Sequence, residues 1–298
     1  MSSHICVVMA VYNRLNSVHN ALHSWSLQTN KDFSIVVADD GSSDDIHQLI
    51  RLYEDKLSLH YYRHRHKNVA VVLNKGMAVA PKETTHVWHT DGDIIFNPKA
   101  VEAAYKHIEE YPERVIAGRY DWLPAMKITP YIVENDFQRI VRCELPRIKG
   151  IEGPPELKKD HRLQRHNEDF FDHKLMDSCK PVLGSNIIAP LKAMYAIGGL
   201  DEDIPGSNAN DADTGWSLTD AGYHLLTCDE IIGYHQFHER HPERLQEGVR
   251  KALPYIFTKH NAPIPERWMP ENAEQEIAEI KRILATRKPG LGWRPDEG

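Results

Sequence analysis

Apolar residues recur along this chain in two rhythms. Short unbroken apolar runs read as strands covered on both faces, and stretches with apolar residues three and four positions apart read as helices with one buried face. Ile5 to Val11 is the first such strand, and the polar break Tyr12-Asn13-Arg14 stands at its carboxyl end. Asn16 or Ser17 is placed to cap a helix whose Val18, Ala21, Leu22 and Trp25 share a face and which ends near Thr29-Asn30. Phe33 to Ala38 is a second strand, stopped by Asp39-Asp40-Gly41-Ser42. Ser43 or Asp44 then caps a helix carrying Ile46, Leu49, Ile50 and Tyr53. Leu57 to Tyr62 is a third strand, followed by a helix over 69–80 with Leu73, Gly76 and Met77 turned inward. A fourth strand leads from His86 into Asp91-Gly92-Asp93, with Pro98 in the first turn of the next helix, where a missing N–H costs nothing. Arg114 to Tyr120 is the fifth strand.

The alternation stops there. Residues 121–180 carry Pro124, Pro130, Pro146, Pro154 and Pro155 and a highly charged piece from Lys158 to Lys174. This reads as an irregular insertion or lid, with one short helix around Phe137, Ile140 and Val141. Order returns with a strand over 181–190, a helix from Leu191 to Ile197 ended by Gly198-Gly199, and a helix entered through Asn210-Asp211-Ala212-Asp213-Thr214-Gly215-Trp216 and closed by Gly222. Strands Leu225–Cys228 and Ile231–Gly233 precede His235-Gln236-Phe237-His238. Beyond them lie two helices, roughly 242–252 and 272–286, with a proline-rich connector. No internal repeat is visible. The rhythm predicts an α/β fold with a mostly parallel central sheet and helices on both faces, divided as 1–238, with halves 1–120 and 181–238 around the insertion, and a helical extension over 239–298.

In a doubly wound sheet ligands bind outside the carboxyl ends of the strands. Tyr12, Asp39, Asp40, Asp91 and Asp93 all fall there. Two carboxylates flanking a permissive glycine, Gly92, suit a hard divalent cation and leave coordination positions open for substrate phosphates. Composition narrows the partners. Over 298 residues the net charge is -7, which argues against a nucleic-acid binder. The apolar run near the start is too short to span a membrane and lacks a basic flank, so a cytoplasmic address is expected. Cys6, Cys143, Cys179 and Cys228 lie far apart without a Cys-x-x-Cys pair and read as buried thiols rather than a zinc knuckle or disulfide framework.

Five stretches in register carry a resemblance: Val8 to Arg14, Val37 to Ser42, Asp91-Gly92-Asp93, Gly198 to Asp201, and Asn210 to Trp216. Together, across about residues 4–235, they resemble a GT-A glycosyltransferase of family 2. The resemblance implies a Rossmann-like GT-A fold and an inverting transferase that takes a sugar from a nucleotide-diphosphate donor, a UDP-sugar favoured, to a glycan or glycoconjugate hydroxyl, with Mn²⁺ or Mg²⁺. It implies that Tyr12 lies against the nucleobase, that Asp40 accepts from a uracil-type ring N–H, and that Asp39 supports the loop. Ala10, Arg14, Asn74 and Gly92 fall among the donor contacts, with Asn74 and Lys75 near the sugar-nucleotide edge. Asp91 and Asp93 match the Asp-x-Asp metal and ribose-diphosphate motif, His235 or its rival His238 the histidine that reaches the metal or diphosphate, and Asp211 the general base, with Asp213 next in line. Asn210 and Trp216 fall on the acceptor side.

The chain departs from the family at Ala10, where proline is usual, at Asn210, where glutamate is common, and over Asn68 to Gly76, a loose match to an asparagine-glycine-rich stretch. Each motif also has a plainer reading. Asp39 to Ser42 could be a turn with a helix cap, Trp216 a core aromatic, and His64-Arg65-His66 solvated loop residues. His235, His238 and His241 are spaced by three, but a zinc site would need them on one face, and Pro242 disrupts helical continuity. A binding or scaffold protein of the same fold without turnover is the alternative function. A nucleotidyltransferase would call for a glycine-rich phosphate loop after the first strand, where this chain has Ala10 to Arg14.

Overall fold

The structure, a computed structural model, describes residues 3–151, 154, 156–159, 185–207, 209–239 and 242–287. Strands β1 (Ile5–Val11), β2 (Phe33–Asp39), β3 (Ser58–Arg63) and β4 (His86–Asp91) alternate with helices α1 (Leu15–Ser26), α2 (Ile46–Arg51) and α3 (Val69–Ala78). A three-residue strand β5 (Ile94–Phe96), α4 (Ala100–Glu110) and β6 (Val115–Trp122) follow, then the short α5 (Pro130–Asn135) and α6 (Phe137–Val141). After β7 (Asn186–Pro190) come α7 (Leu191–Ala196), α8 (Asn210–Asp220), β8 (Leu225–His235), α9 (Pro242–Lys259) and α10 (Ala273–Thr286).

The strands form one sheet in the order β3-β2-β1-β4-β7-β6-β8-β5. Four of the seven pairings are parallel, and the antiparallel ones involve β7 and β5. The expected α/β architecture with a mostly parallel central sheet is therefore present. Its strands alternate sides as a pleat requires: Ile5, Val7, Met9 and Val11 join one core, and Cys6 and Val8 join the other. The first core is centred on Trp25, Trp88 and Phe96, with ring centroids 4.6–5.1 Å apart. The second packs α3, α7 and α8 against the opposite face. A smaller cluster forms under residues 123–145, and another joins Ile204 and Trp216 to α9 and α10.

Several boundaries differ from the sequence reading. Helix α1 starts at Leu15, ahead of both expected caps, because Arg14 takes a left-handed conformation and Asp44 from the neighbouring loop accepts the Leu15 N–H at 3.0 Å. Asp45, not Ser43 or Asp44, caps α2 by accepting from the Gln48 N–H. The two expected strands at 225–233 are one strand whose register against β6 shifts after Gly118. Helix α9 runs through Pro254 to Lys259 instead of ending near 252. Of the expected strand over 181–190, residues 181–184 lie outside the described residues, as do most of the expected lid, Cys179, Arg240 and His241.

Candidate active site

Register brings the carboxyl ends of the strands together. Val11 pairs with Asp39 and Ala10 with Asp91, so the loops after β1, β2 and β4 leave the sheet at one level. The β1 loop turns through two consecutive left-handed residues, Asn13 and Arg14, with φ 56° and 62°. Such backbone costs about 1 kcal/mol or more per non-glycine residue and needs support. The β2 loop supplies it: Asn13 N–H donates to Ser42 Oγ at 2.7 Å, and Asn13 Oδ1 accepts from the Ser43 N–H at 2.7 Å. The result fixes Tyr12 at the surface, 48% exposed, and aims Arg14 toward β4.

Asp39 is buried and holds its own loop. Its Oδ1 accepts from Ser42 N–H at 2.8 Å and its Oδ2 from the Tyr61 hydroxyl at 2.6 Å. Burial, followed by the bond to Asp39, raises the Tyr61 phenol above its ordinary value. Asp40 accepts from Lys67 N–H at 3.0 Å and lies 2.8 Å from His66 Nδ1. Gly41, next in the loop, has φ 82°, and a Cβ there would sit 2.7 Å from the His66 backbone nitrogen. Only glycine satisfies both conditions.

After β4 the chain passes Asp91, Gly92 and Asp93 before β5. Gly92 is not among the glycines with a left-handed backbone. Its N–H donates to Ala10 O at 2.8 Å, and a Cβ would meet Val11 Cγ2 at 2.9 Å, so the glycine permits close approach to β1. Ala10 thus contributes its carbonyl. The two aspartates part company. Ser185, brought alongside by the Thr90–Asn186 register, donates to Asp91 Oδ2 at 2.5 Å. Burial, then the neighbouring Asp93, raise the Asp91 carboxyl above its ordinary value.

Asp93 is 3% exposed and meets three nitrogen groups through Oδ2: Arg14 Nη1 at 2.7 Å, His235 Nε2 at 3.6 Å and His238 Nε2 at 3.6 Å. Its other oxygen, Oδ1, is buried with no hydrogen-bond partner. Asp93, His235 and His238 each offer a ligand atom within 4.8 Å of the others. An unpartnered carboxylate oxygen beside two imidazoles fits a divalent cation. Asp91, expected as a fourth ligand, is not in this group. The histidines converge without sharing a helix: His235 pairs with Ile94 at the end of β8, and His238 follows in the loop. Gln236 locks that segment. Its N–H and side-chain amide donate to Asp93 O at 3.0 and 3.2 Å, and its Oε1 accepts from Asn20 at 2.8 Å. Gln236, Ser185 and His66 carry no motif signal, and the sequence reading gave none of them a site role.

Asp211 lies in the first turn of α8, entered through Ala209 at φ 68°, and its Oδ1 faces the Ala212 N–H at 2.9 Å. Asn210 beside it is buried, and its carbonyl accepts from Thr214. Asp213, the alternative base, is buried between Lys259 Nζ at 2.7 Å and His260 Nε2 at 3.0 Å. Burial works against ionisation there, but the bond from His260 and the charge of Lys259 prevail and hold the carboxyl below its ordinary value. A carboxylate so occupied is a poor proton acceptor. Trp216, expected on the acceptor side, stacks flat on His260 with centroids 4.3 Å apart and packs edge-on against Phe257, in the contact between α8 and α9. Asn74, expected at the donor edge, is fully buried. Its amide donates to Leu200 O and Glu202 Oε1, and its Oδ1 accepts from Leu200 N–H, tying α3 to the loop before α8.

Residues 6–150 match the sequence profile described as Glycosyl transferase family 2. That stretch, just under half of the chain, is a glycosyltransferase family 2 domain. The chain is 25% identical over 273 residues to the validoxylamine A glucosyltransferase of Streptomyces hygroscopicus subsp. jinggangensis, a match covering 88% of the chain and 62% of that protein. It therefore spans under two thirds of that relative's length. Among solved structures, S. aureus TarS 1–349 in complex with UDP-GlcNAc superposes with a TM-score of 0.56 over 96% of this chain and 73% of that one, at 16% identity. A mannosyltransferase of Pyrobaculum calidifontis in complex with GDP-Man and Mn²⁺ superposes with a TM-score of 0.59 over 95% and 76%, at 15% identity. These likenesses establish the GT-A fold of the chain. Among the described residues no helix is long and apolar enough to cross a membrane.

Proposed function

We propose that the chain is a metal-dependent inverting glycosyltransferase that moves a sugar from a nucleotide-diphosphate donor, a UDP-sugar favoured, to a hydroxyl of a glycan or glycoconjugate. The observation that carries the reading is Asp93: a buried carboxylate with one oxygen unpartnered, two imidazoles and a guanidinium on the other, at the strand ends beside Tyr12 and Asp40. Tyr12 supplies an exposed ring for a nucleobase, and Asp40 supplies an acceptor for a ring N–H, which uracil and guanine present and cytosine does not. The structural likenesses to proteins bound to UDP-GlcNAc and GDP-Man agree with a base of that kind.

A divalent cation held by Asp93, His235 and His238 would neutralise charge developing on the departing diphosphate. Two imidazole ligands favour Mn²⁺ over Mg²⁺, which prefers oxygen and keeps its waters. Arg14, already at Asp93, is the nearest cationic side chain for the remaining phosphate oxygens. Asp211 accepts the proton of the acceptor hydroxyl as that oxygen bonds to the anomeric carbon and the bond to the diphosphate breaks on the opposite face. The Ser185 bond keeps Asp91 turned aside as a support for the loop.

The reading is tested by incubating the protein with UDP-, GDP-, dTDP- and CMP-sugars, with Mn²⁺, Mg²⁺ or EDTA, and following nucleotide release. Mn²⁺-dependent release from a UDP-sugar is expected. Metal-dependent nucleotide binding with no release under any condition, with or without acceptor sugars, would favour the non-catalytic alternative, to which Asn210 in place of the family's usual glutamate points.

A further inference from the structure

The loop between β3 and α3 closes over the end of β2. His64 N–H donates to Asp39 O at 2.8 Å, and Lys67 N–H donates to Asp40 Oδ1. His66 goes further. Its Nδ1 lies 2.8 Å from Asp40 Oδ2, and its ring lies on Tyr12 with centroids 4.2 Å apart and planes 18° from parallel. An imidazole with its Nδ1 against Asp40 and a face on Tyr12 stands where the donor reading places a nucleobase. No base can enter between the two rings, because a third ring would need a gap of about 7 Å, twice an ordinary carbon–carbon contact.

We infer that His66 is an internal competitor for the nucleobase: it occupies the stacking face of Tyr12 and the acceptor of Asp40 in the free protein, and the donor binds by displacing it. The inference rests on the donor reading above. The arrangement has a physical rationale. The Asp40 side chain is almost wholly buried, and a buried carboxylate left without a polar neighbour is costly, so the resident imidazole covers it until a ligand replaces it. The His66 side chain is itself half exposed and sits at a loop tip, so it can swing into solvent without breaking the core. Uracil then exchanges one polar contact and one stack for another, and the net affinity is what remains after His66 is removed.

The sign of one substitution decides the matter. Removing a competitor must strengthen binding, whereas removing a wall of the base pocket must weaken it. For His66→Ala we expect UDP with Mn²⁺ to bind roughly three- to tenfold more tightly by titration calorimetry, since a half-exposed ion pair and one ring stack are each modest contributions. Tyr12→Ala should weaken UDP binding. Should His66→Ala disturb the loop, the wild-type protein gives a second readout: the His66 Cε1–H proton resonance, assigned by its absence in His66→Ala, carries the ring-current shift of Tyr12 and should move to a solvent-exposed histidine position on saturation with UDP. Weaker or unchanged binding by His66→Ala, with a resonance that stays in place, would overturn the inference while leaving the donor reading intact. No binding of any nucleotide by either protein would overturn the donor reading and this inference with it.

Discussion

Lys259 is the side chain whose loss should be felt most widely outside the site. Its ammonium bridges two fully buried carboxylates, Asp201 at 2.9 Å and Asp213 at 2.7 Å, and is itself only 12% exposed. Lys259→Met keeps the stem and removes the charge. Breaking a buried pair by deleting one partner costs about 3–5 kcal/mol, because the remaining charge is left uncompensated. Here Arg287 still reaches Asp201 at 3.3 Å and His260 still reaches Asp213 at 3.0 Å, so the lower end, about 3 kcal/mol, is expected. For a chain of 298 residues that corresponds to a fall in Tm of about 5 °C. The pH dependence has a definite sign. The Asp213 carboxyl is held below its ordinary value, so it contributes stability above the unfolded carboxylate range, lost as pH falls through the folded value in acid, below about pH 4. Urea unfolding of wild type, Lys259→Met and Lys259→Arg at neutral pH and between pH 5 and 3 measures both effects. The methionine variant should be destabilised and should show a shallower acid loss, with arginine partly restoring both. A change under about 0.5 kcal/mol for Lys259→Met would refute the reasoning, as the network would then be contributing no more than surface ion pairs do.

Asp211→Asn keeps the side-chain shape and removes the proton acceptor, so turnover should fall by roughly 10² to 10⁴ while nucleotide affinity measured by calorimetry stays within about twofold. Gly41→Ala sets a Cβ against the His66 backbone at a positive φ, and thermal unfolding should show a loss of about 2 kcal/mol. Gln236→Ala frees the segment that carries both histidines, and hydrogen exchange should report faster exchange at residues 235–239 with little change in β1 or β2.

The parts of this fold legible in the sequence are those with local causes. Continuous apolar runs located β1 and β2 nearly to the residue, and the polar breaks after them located the site's loops. Elements set by distant partners were not legible. Strand β5 is three residues long and exists because β8 pairs with it, so no periodicity could announce it. The cap of α1 comes from Asp44 in another loop, and α9 continues through Pro254 because its apolar face packs on Ile204 and Trp216. In the site, residue types with a strong chemical signature stood out: Asp93, His235 and His238 form one cluster. The burial of Asn74 was not legible, because an asparagine on a helix reads the same whether it faces a ligand or fills a buried bond to Leu200. His66 was passed over as solvated, since nothing in a His-Arg-His loop shows that it folds back onto Tyr12.

In the proposed enzyme, Asp93 and its two histidines hold the cation through which a nucleotide diphosphate is bound. Titration calorimetry of UDP into wild type and Asp93→Ala, each with Mn²⁺ and with EDTA, tests it most directly, because binding is read without any need for the acceptor. Expected are binding by the wild type with Mn²⁺, loss of at least tenfold in affinity with EDTA, and the same loss in Asp93→Ala whether or not Mn²⁺ is present, with the far-ultraviolet circular dichroism of the two proteins alike. UDP binding of equal strength in all four titrations would contradict it.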